Sequence, residues 1–139
     1  MMMIGFDTGV FVYHSMGHPE VVRLWAEVTQ GNRHVVVSAI TLYEIQRLAL
    51  RGLLREEYAR TALESIPVIC EVVWLDTLDR LRRAASLAQG LNLLATDSFV
   101  LAACIERCCS DIYTTDSSFA AYKKNGVVVH VLRQGPSSG

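Results

Sequence analysis

MMIGFDTG, residues 2–9, carries an unbroken run of apolar and small residues straight into an acid and a turn. A continuous apolar run of this length suits a strand covered on both faces, because neither of its sides meets water. Met2 to Phe6 is therefore expected as the first strand, with Asp7 standing where it stops. The same junction recurs downstream. Glu44 closes VVVSAITLYE (residues 35–44), Asp97 lies in LNLLATDSFVLAAC (residues 91–104), and Asp116 lies in DIYTTDSSF (residues 111–119). In open α/β folds such positions converge on the crevice outside the carboxyl ends of the strands.

The rest of the chain alternates strand and helix. Pro19 suits the first turn of a helix whose apolar stripe is Val21, Val22, Trp25 and Val28, with Gly31 near its stop. The expected elements continue as a strand over 34–37, helices over 41–50 and 55–65 broken at Gly52, and a strand over 70–75. Next come a helix from Asp76 to Gly90, a helix over 97–108 and a strand over 111–114. A helix over 117–124, closed by Asn125 and Gly126, and a strand over 127–132 complete the order. Strands separated by helical crossovers imply an α/β fold with a mostly parallel, covered sheet. Residues 1–133 are expected as one domain, and 134–139, ending in GPSSG, as a flexible tail or appended remnant.

Composition bounds what such a chain does. At 139 residues, 51% hydrophobic and 19% charged, it has ample material for one packed core and little for disorder. No apolar stretch approaches the ~20 residues of a membrane span, and no signal-peptide pattern opens the chain, so a cytoplasmic protein is expected. Its four cysteines fit that compartment as reduced, mostly buried small hydrophobes. Cys104 and Cys108 share a helix face, but no histidine or CxxC pair completes a tetrahedral zinc set. The net charge of −1 disfavours a protein that grips nucleic acid over its whole surface, so any such grip falls to local patches. Arg47, Arg51 and Arg55 recur at helical spacing, and Arg80, Arg82 and Arg83 cluster further on.

Each acid has a structural rival to a functional role. Asp7 and Asp116 are good N-caps for the helical turns that begin at Thr8 and Ser117. Thr41 and Glu44 have the spacing of a capping box, and Asp97 suits a first helical turn. Four such acids brought to one crevice would repel one another unless a cation sat among them. Oxygen ligands of this kind suit Mg²⁺ or Mn²⁺.

These segments, FDTG, VSAITLYEI, ATDSFVLAAC and YTTDSSF with the strand VVVHVL behind it, resemble the PIN domain family over Ile4 to Leu132. The resemblance implies a three-layer α/β/α sandwich and a metal-dependent ribonuclease. It places the Mg²⁺ or Mn²⁺ ligands and catalytic acids on Asp7, Glu44, Asp97 and Asp116, with Thr114 in support. Many members carry a further acid two residues after the fourth, where this chain has Ser118, so a second ion would be held more weakly or only with substrate present. The compact size resembles VapC-type toxins, which implies an RNA substrate, products with 5′-phosphate and 3′-hydroxyl ends, a homodimer, and an antitoxin protein as partner. Arg47 and Arg51, on the helix that carries Glu44, are the expected substrate contacts.

Thr8 offers its hydroxyl or amide to a phosphate, or simply serves the turn. His14 and His18 are read as hydrogen-bonded structural residues, and Trp25 and Trp74 as core rather than base-stacking platforms. Two other functions compete with the nuclease. An aspartyl-phosphate phosphatase usually wants a second acid two residues after the first, where Gly9 stands. A non-catalytic PIN-like RNA-binding or scaffold module would have no use for four clustered carboxylates.

Overall fold

The computed structural model describes residues 2–134, so the tail beyond Gln134 lies outside the described residues. Five strands form one sheet: β1 (Met3–Phe6), β2 (His34–Ser38), β3 (Glu71–Val73), β4 (Asp111–Thr114) and β5 (Val128–Val131). Their order is β3-β2-β1-β4-β5, and every neighbouring pair is parallel. Between them run α1 (Thr8–Ser15), α2 (Pro19–Thr29), α3 (Ala39–Leu50), α4 (Glu56–Ile69), α5 (Leu78–Leu91) and α6 (Ala95–Glu106). A 3₁₀ turn over Ser117–Ala121 links β4 to β5.

The period-2 alternation of the strands divides the interior into two cores. Ile4, Phe6, Val35, Val37 and Tyr113 face one side, where they meet Val10 and Phe11 of α1, Val21, Leu24 and Val28 of α2, Ile45 of α3, and Ala59 and Ile66 of α4. Val36, Val73 and Ile112 face the other, against Val100, Leu101 and Cys104 of α6 and Phe119. The result is the three-layer α/β/α sandwich, with the sheet as the middle layer.

Several elements begin or end away from their expected places. The stretch after Asp7 forms a full helix, α1, rather than a turn. Its TGVFVYHS sequence is apolar around most of its circumference, so it carries no amphipathic stripe to read. On α2 the buried face is Val21, Leu24 and Val28, while Val22 is 45% exposed. Helix α3 starts before Thr41, because Ser38 accepts from the Ile40 amide at 3.2 Å and takes the cap. The Thr41–Glu44 capping box therefore does not form. Helix α4 continues through Pro67 to Ile69, well past Ser65, with Pro67 in its last turn. Asn92, in the left-handed conformation at φ 54°, ends α5, while Gly90 stays inside it. Helix α6 stops at Glu106, short of Cys108.

Trp74 is 51% exposed, not core, because β3 is a three-residue edge strand that has already ended. Trp25 is half-buried and packs edge-on against Phe11 at 5.7 Å. The four cysteines are free thiols, with only Cys108 exposed. No single helix among the described residues is long and apolar enough to cross a membrane.

Candidate active site

Strands β2, β1 and β4 end side by side, and the chain beyond those ends carries the acids. Asp7 comes directly after β1, and its amide donates to the Tyr113 carbonyl on β4 at 3.1 Å. Asp116 lies two residues beyond β4, Glu44 sits in the second turn of α3, and Asp97 sits in the first turn of α6.

Asp7 is 6% exposed and surrounded by donors. Oδ1 accepts from the Val10 amide at 3.1 Å, capping α1, while Oδ2 accepts the Thr114 hydroxyl and the Thr115 amide, the latter at 3.3 Å. Burial nevertheless pushes its carboxyl up to about 6, with the Glu44 charge adding to the push and the three hydrogen bonds opposing it. Thr114 is fully buried, and its oxygen also accepts the Asp116 amide at 2.9 Å. One hydroxyl thus ties the ends of β1 and β4 together.

Asp97 is half-buried and pushed up to about 7. Desolvation is the first cause, followed by the charge of Asp116, a hydrogen bond shared with it, and the charges of Asp7 and Glu44. Asp116 is held below the usual carboxylate range, mainly by the Ser118 amide, which donates to Oδ1 at 2.9 Å. The two carboxyls are thus pushed apart in acidity, with Asp97 the one that holds its proton to higher pH. Glu44 Oε1 accepts the Thr8 hydroxyl at 2.6 Å. That hydroxyl is thus committed to Glu44 inside the protein.

Asp7 and Asp116 are linked through Thr114. Among the described residues no group of three His, Cys, Asp or Glu side chains stands close enough to share one ion as placed. The donors available are carboxylate oxygens held near one another against their own repulsion, an all-oxygen set that fits a hard divalent cation. The larger surface depressions, of about 550 Å³ between α3 and α4 and about 610 Å³ along residues 120–129, are lined by none of these acids. The acids stand at the cleft outside the carboxyl ends of the strands.

The PIN domain profile matches residues 4–125. The chain belongs to the PIN domain family. No curated protein matches the sequence. Among solved structures this PIN domain superposes on a chain of VapBC2 from Rickettsia felis, bound to a DNA fragment from their promoter. The TM-score is 0.68 at 16% identity, over 93% of this chain and 98% of that one. A chain of DNA-bound VapBC from Salmonella typhimurium gives 0.67 at 18%, over 94% and 98%. A toxin–antitoxin complex from Klebsiella pneumoniae gives 0.64 at 22%, over 90% and 95%. At these identities the likeness is one of fold.

Other expected residues sort by exposure and partner. Arg47 and Arg51 are exposed, and neither joins an ion pair among the described residues. Arg80 is committed to Asp76 and Glu106, and Arg83 to Asp79. His14 meets the Tyr58 hydroxyl at 2.8 Å and His18 the Arg133 carbonyl at 2.7 Å, both structural. Sequence reading missed three residues that shape the site. Thr41 is fully buried beside Thr8, the Thr115 amide binds Asp7, and Gly9 has no room for a Cβ, which would stand 1.9 Å from Thr115 Oγ1. The spacing of Thr41 one turn before Glu44 was the available signal, and it pointed to a cap instead.

Proposed function

We propose that this PIN domain is an endoribonuclease that hydrolyses RNA phosphodiester bonds with Mg²⁺ or Mn²⁺ held by Asp7, Glu44, Asp97 and Asp116. The observation that carries this reading is buried Asp7, tied through the Thr114 hydroxyl to the backbone of Asp116 where β1 and β4 end, with Asp97 pushed up by the neighbouring acids. The upward push on Asp7 and Asp97 is one that a cation among the carboxylates would reverse. When bound, such an ion polarises a phosphoryl oxygen and makes a water more acidic.

The chain's own residues supply the rest. Asp7, fixed by three donors, is the rigid ligand, and Thr114 keeps it in register with Asp116. Asp97 gives up its proton as a ligand. Glu44, with Oε1 held by Thr8, turns its other oxygen to a ligand position or to the attacking water. Arg47, one turn beyond Glu44, and Arg51, one turn further, grip phosphates.

The family and its toxin–antitoxin neighbours support a second part of the reading. The protein acts in the cytoplasm as a toxin, pairs as a homodimer, and is restrained by an antitoxin. Leu50 and Leu53, 78% and 60% exposed at the end of α3, offer apolar surface to such partners.

The test is cleavage of a mixed-sequence RNA by the wild type and Asp97→Asn side by side. The wild type should cut with Mn²⁺ and stop with EDTA, and the variant should lose about 100-fold or more. Equal activity in both would betray a contaminating nuclease. Inactivity of both across many RNAs would favour a non-catalytic RNA-binding or scaffold module.

A further inference from the structure

Thr8 has one hydroxyl hydrogen and two oxygens within reach, Glu44 Oε1 at 2.6 Å and Thr41 Oγ1 at 3.2 Å. The shorter contact, to a carboxylate, takes the hydrogen. Thr41 must then donate to Thr8. Its side chain is fully buried, and Thr8 is the one partner its hydroxyl has among the described residues. We infer that Thr41 is a positioning residue, acting through Thr8 to fix the carboxylate of Glu44, an inference that rests on the nuclease reading of the same cleft.

The hydrogen bonds run in one direction, from Thr41 to Thr8 to Glu44. Because Thr41 satisfies the Thr8 oxygen, the Thr8 hydrogen stays aimed at Oε1, and each bond polarises the next. Glu44 is thereby held in one rotamer, with Oε1 committed and Oε2 free of protein partners among the described residues. Thr41 and Glu44 lie on neighbouring turns of α3, while Thr8 opens α1. The chain of hydroxyls thus locks two helices at the angle that keeps Glu44 beside Asp7.

The test is a double-substitution cycle with Thr41→Val and Thr8→Val, which remove each hydroxyl at nearly constant shape, and Thr41→Ser as the conservative control. In Thr41→Val the Mn²⁺ concentration for half-maximal cleavage should rise and kcat fall, each by about 3- to 10-fold, with KM for RNA unchanged. Thr41→Ser should restore both. On the Thr8→Val background Thr41→Val should add nothing, because Thr41 reaches Glu44 only through Thr8. A metal-free readout stands beside these. NMR of the wild type in EDTA should show a slowly exchanging Thr8 hydroxyl proton, and Thr41→Val should accelerate its exchange.

If the wild type shows that protected proton but neither binds Mn²⁺ nor cuts RNA, the nuclease reading fails while the hydroxyl chain stands. If Mn²⁺ binds and RNA is cut, but Thr41→Val matches the wild type or adds the same loss on both backgrounds, the positioning role is overturned. A fast-exchanging hydroxyl in the wild type would remove the chain itself.

Discussion

Asp7 and Asp116 cap the helical segments they precede and also belong to the acid cluster. Sequence reading treats these as rivals, but a carboxylate has two oxygens with several acceptor sites and serves both. The electrostatic cost is readable in pH. Asp7 and Asp97 keep their protons to about 6 and about 7, above their ordinary 3.8. The folded protein therefore holds protons that the unfolded chain releases. That stabilisation is complete below the unfolded value and is lost as pH rises through 6 and 7. Asparagine at position 97 has no proton to lose. In EDTA, Asp97→Asn should gain stability over the wild type between pH 5 and pH 8, on the order of 1 kcal/mol once solvent screening of a half-exposed group is allowed for. Thermal unfolding at the two pH values measures it, and a gap between the proteins that does not widen with pH would contradict the upward push on Asp97.

At the scale of elements, helix α6 comes close enough to β1 that one glycine decides the approach. A Cβ on Gly5 would stand 2.2 Å from Cys104 Sγ and 3.6 Å from Cys109 Sγ. Both thiols are buried, at 2% and 3% exposure, so neither has room to swing aside. This contact matters for the site because α6 carries Asp97 at its start. Gly5→Ala should destabilise the protein by about 1–3 kcal/mol through overpacking, and adding Cys104→Ala should restore most of that loss. Denaturant midpoints of the two variants are the check, and no recovery in the double variant would place the strain elsewhere. The glycine in MMIGFDTG was visible in the sequence, but its partner on α6 was not.

Over the whole molecule the net charge is −1 and the cleft is acidic, so any grip on RNA must come from the rim. Arg33, Arg60, Arg80, Arg83 and Arg107 are spent on ion pairs, whereas Arg47 on α3 and Arg51 just past its end join none among the described residues. Replacing both with alanine should weaken RNA binding in EDTA and flatten its dependence on salt by about 0.7 units of log–log slope per lost phosphate contact. A titration of single-stranded RNA across a salt series measures this. An unchanged slope would move the grip to another surface.

By itself the sequence determined the order of the five strands and of every helix but α1, the parallel covered sheet and the four acids at its junctions. Each of these is written in local runs and periods that need no partner to be read. Strand β4 lies where its apolar run put it, and β1 differs from expectation by one residue. Only the tertiary structure decided which side chains meet across the chain. Thr114 reaches Asp7 over 107 positions, and Thr8 reaches Thr41 over 33. Such pairs depend on strand register and on the angle between helices, which no single segment encodes. Ser38, where β2 ends, takes the cap of α3 from Thr41, and Trp74 stands in solvent past the end of β3. Local propensity allowed either outcome in both places, and the end of the neighbouring strand chose between them.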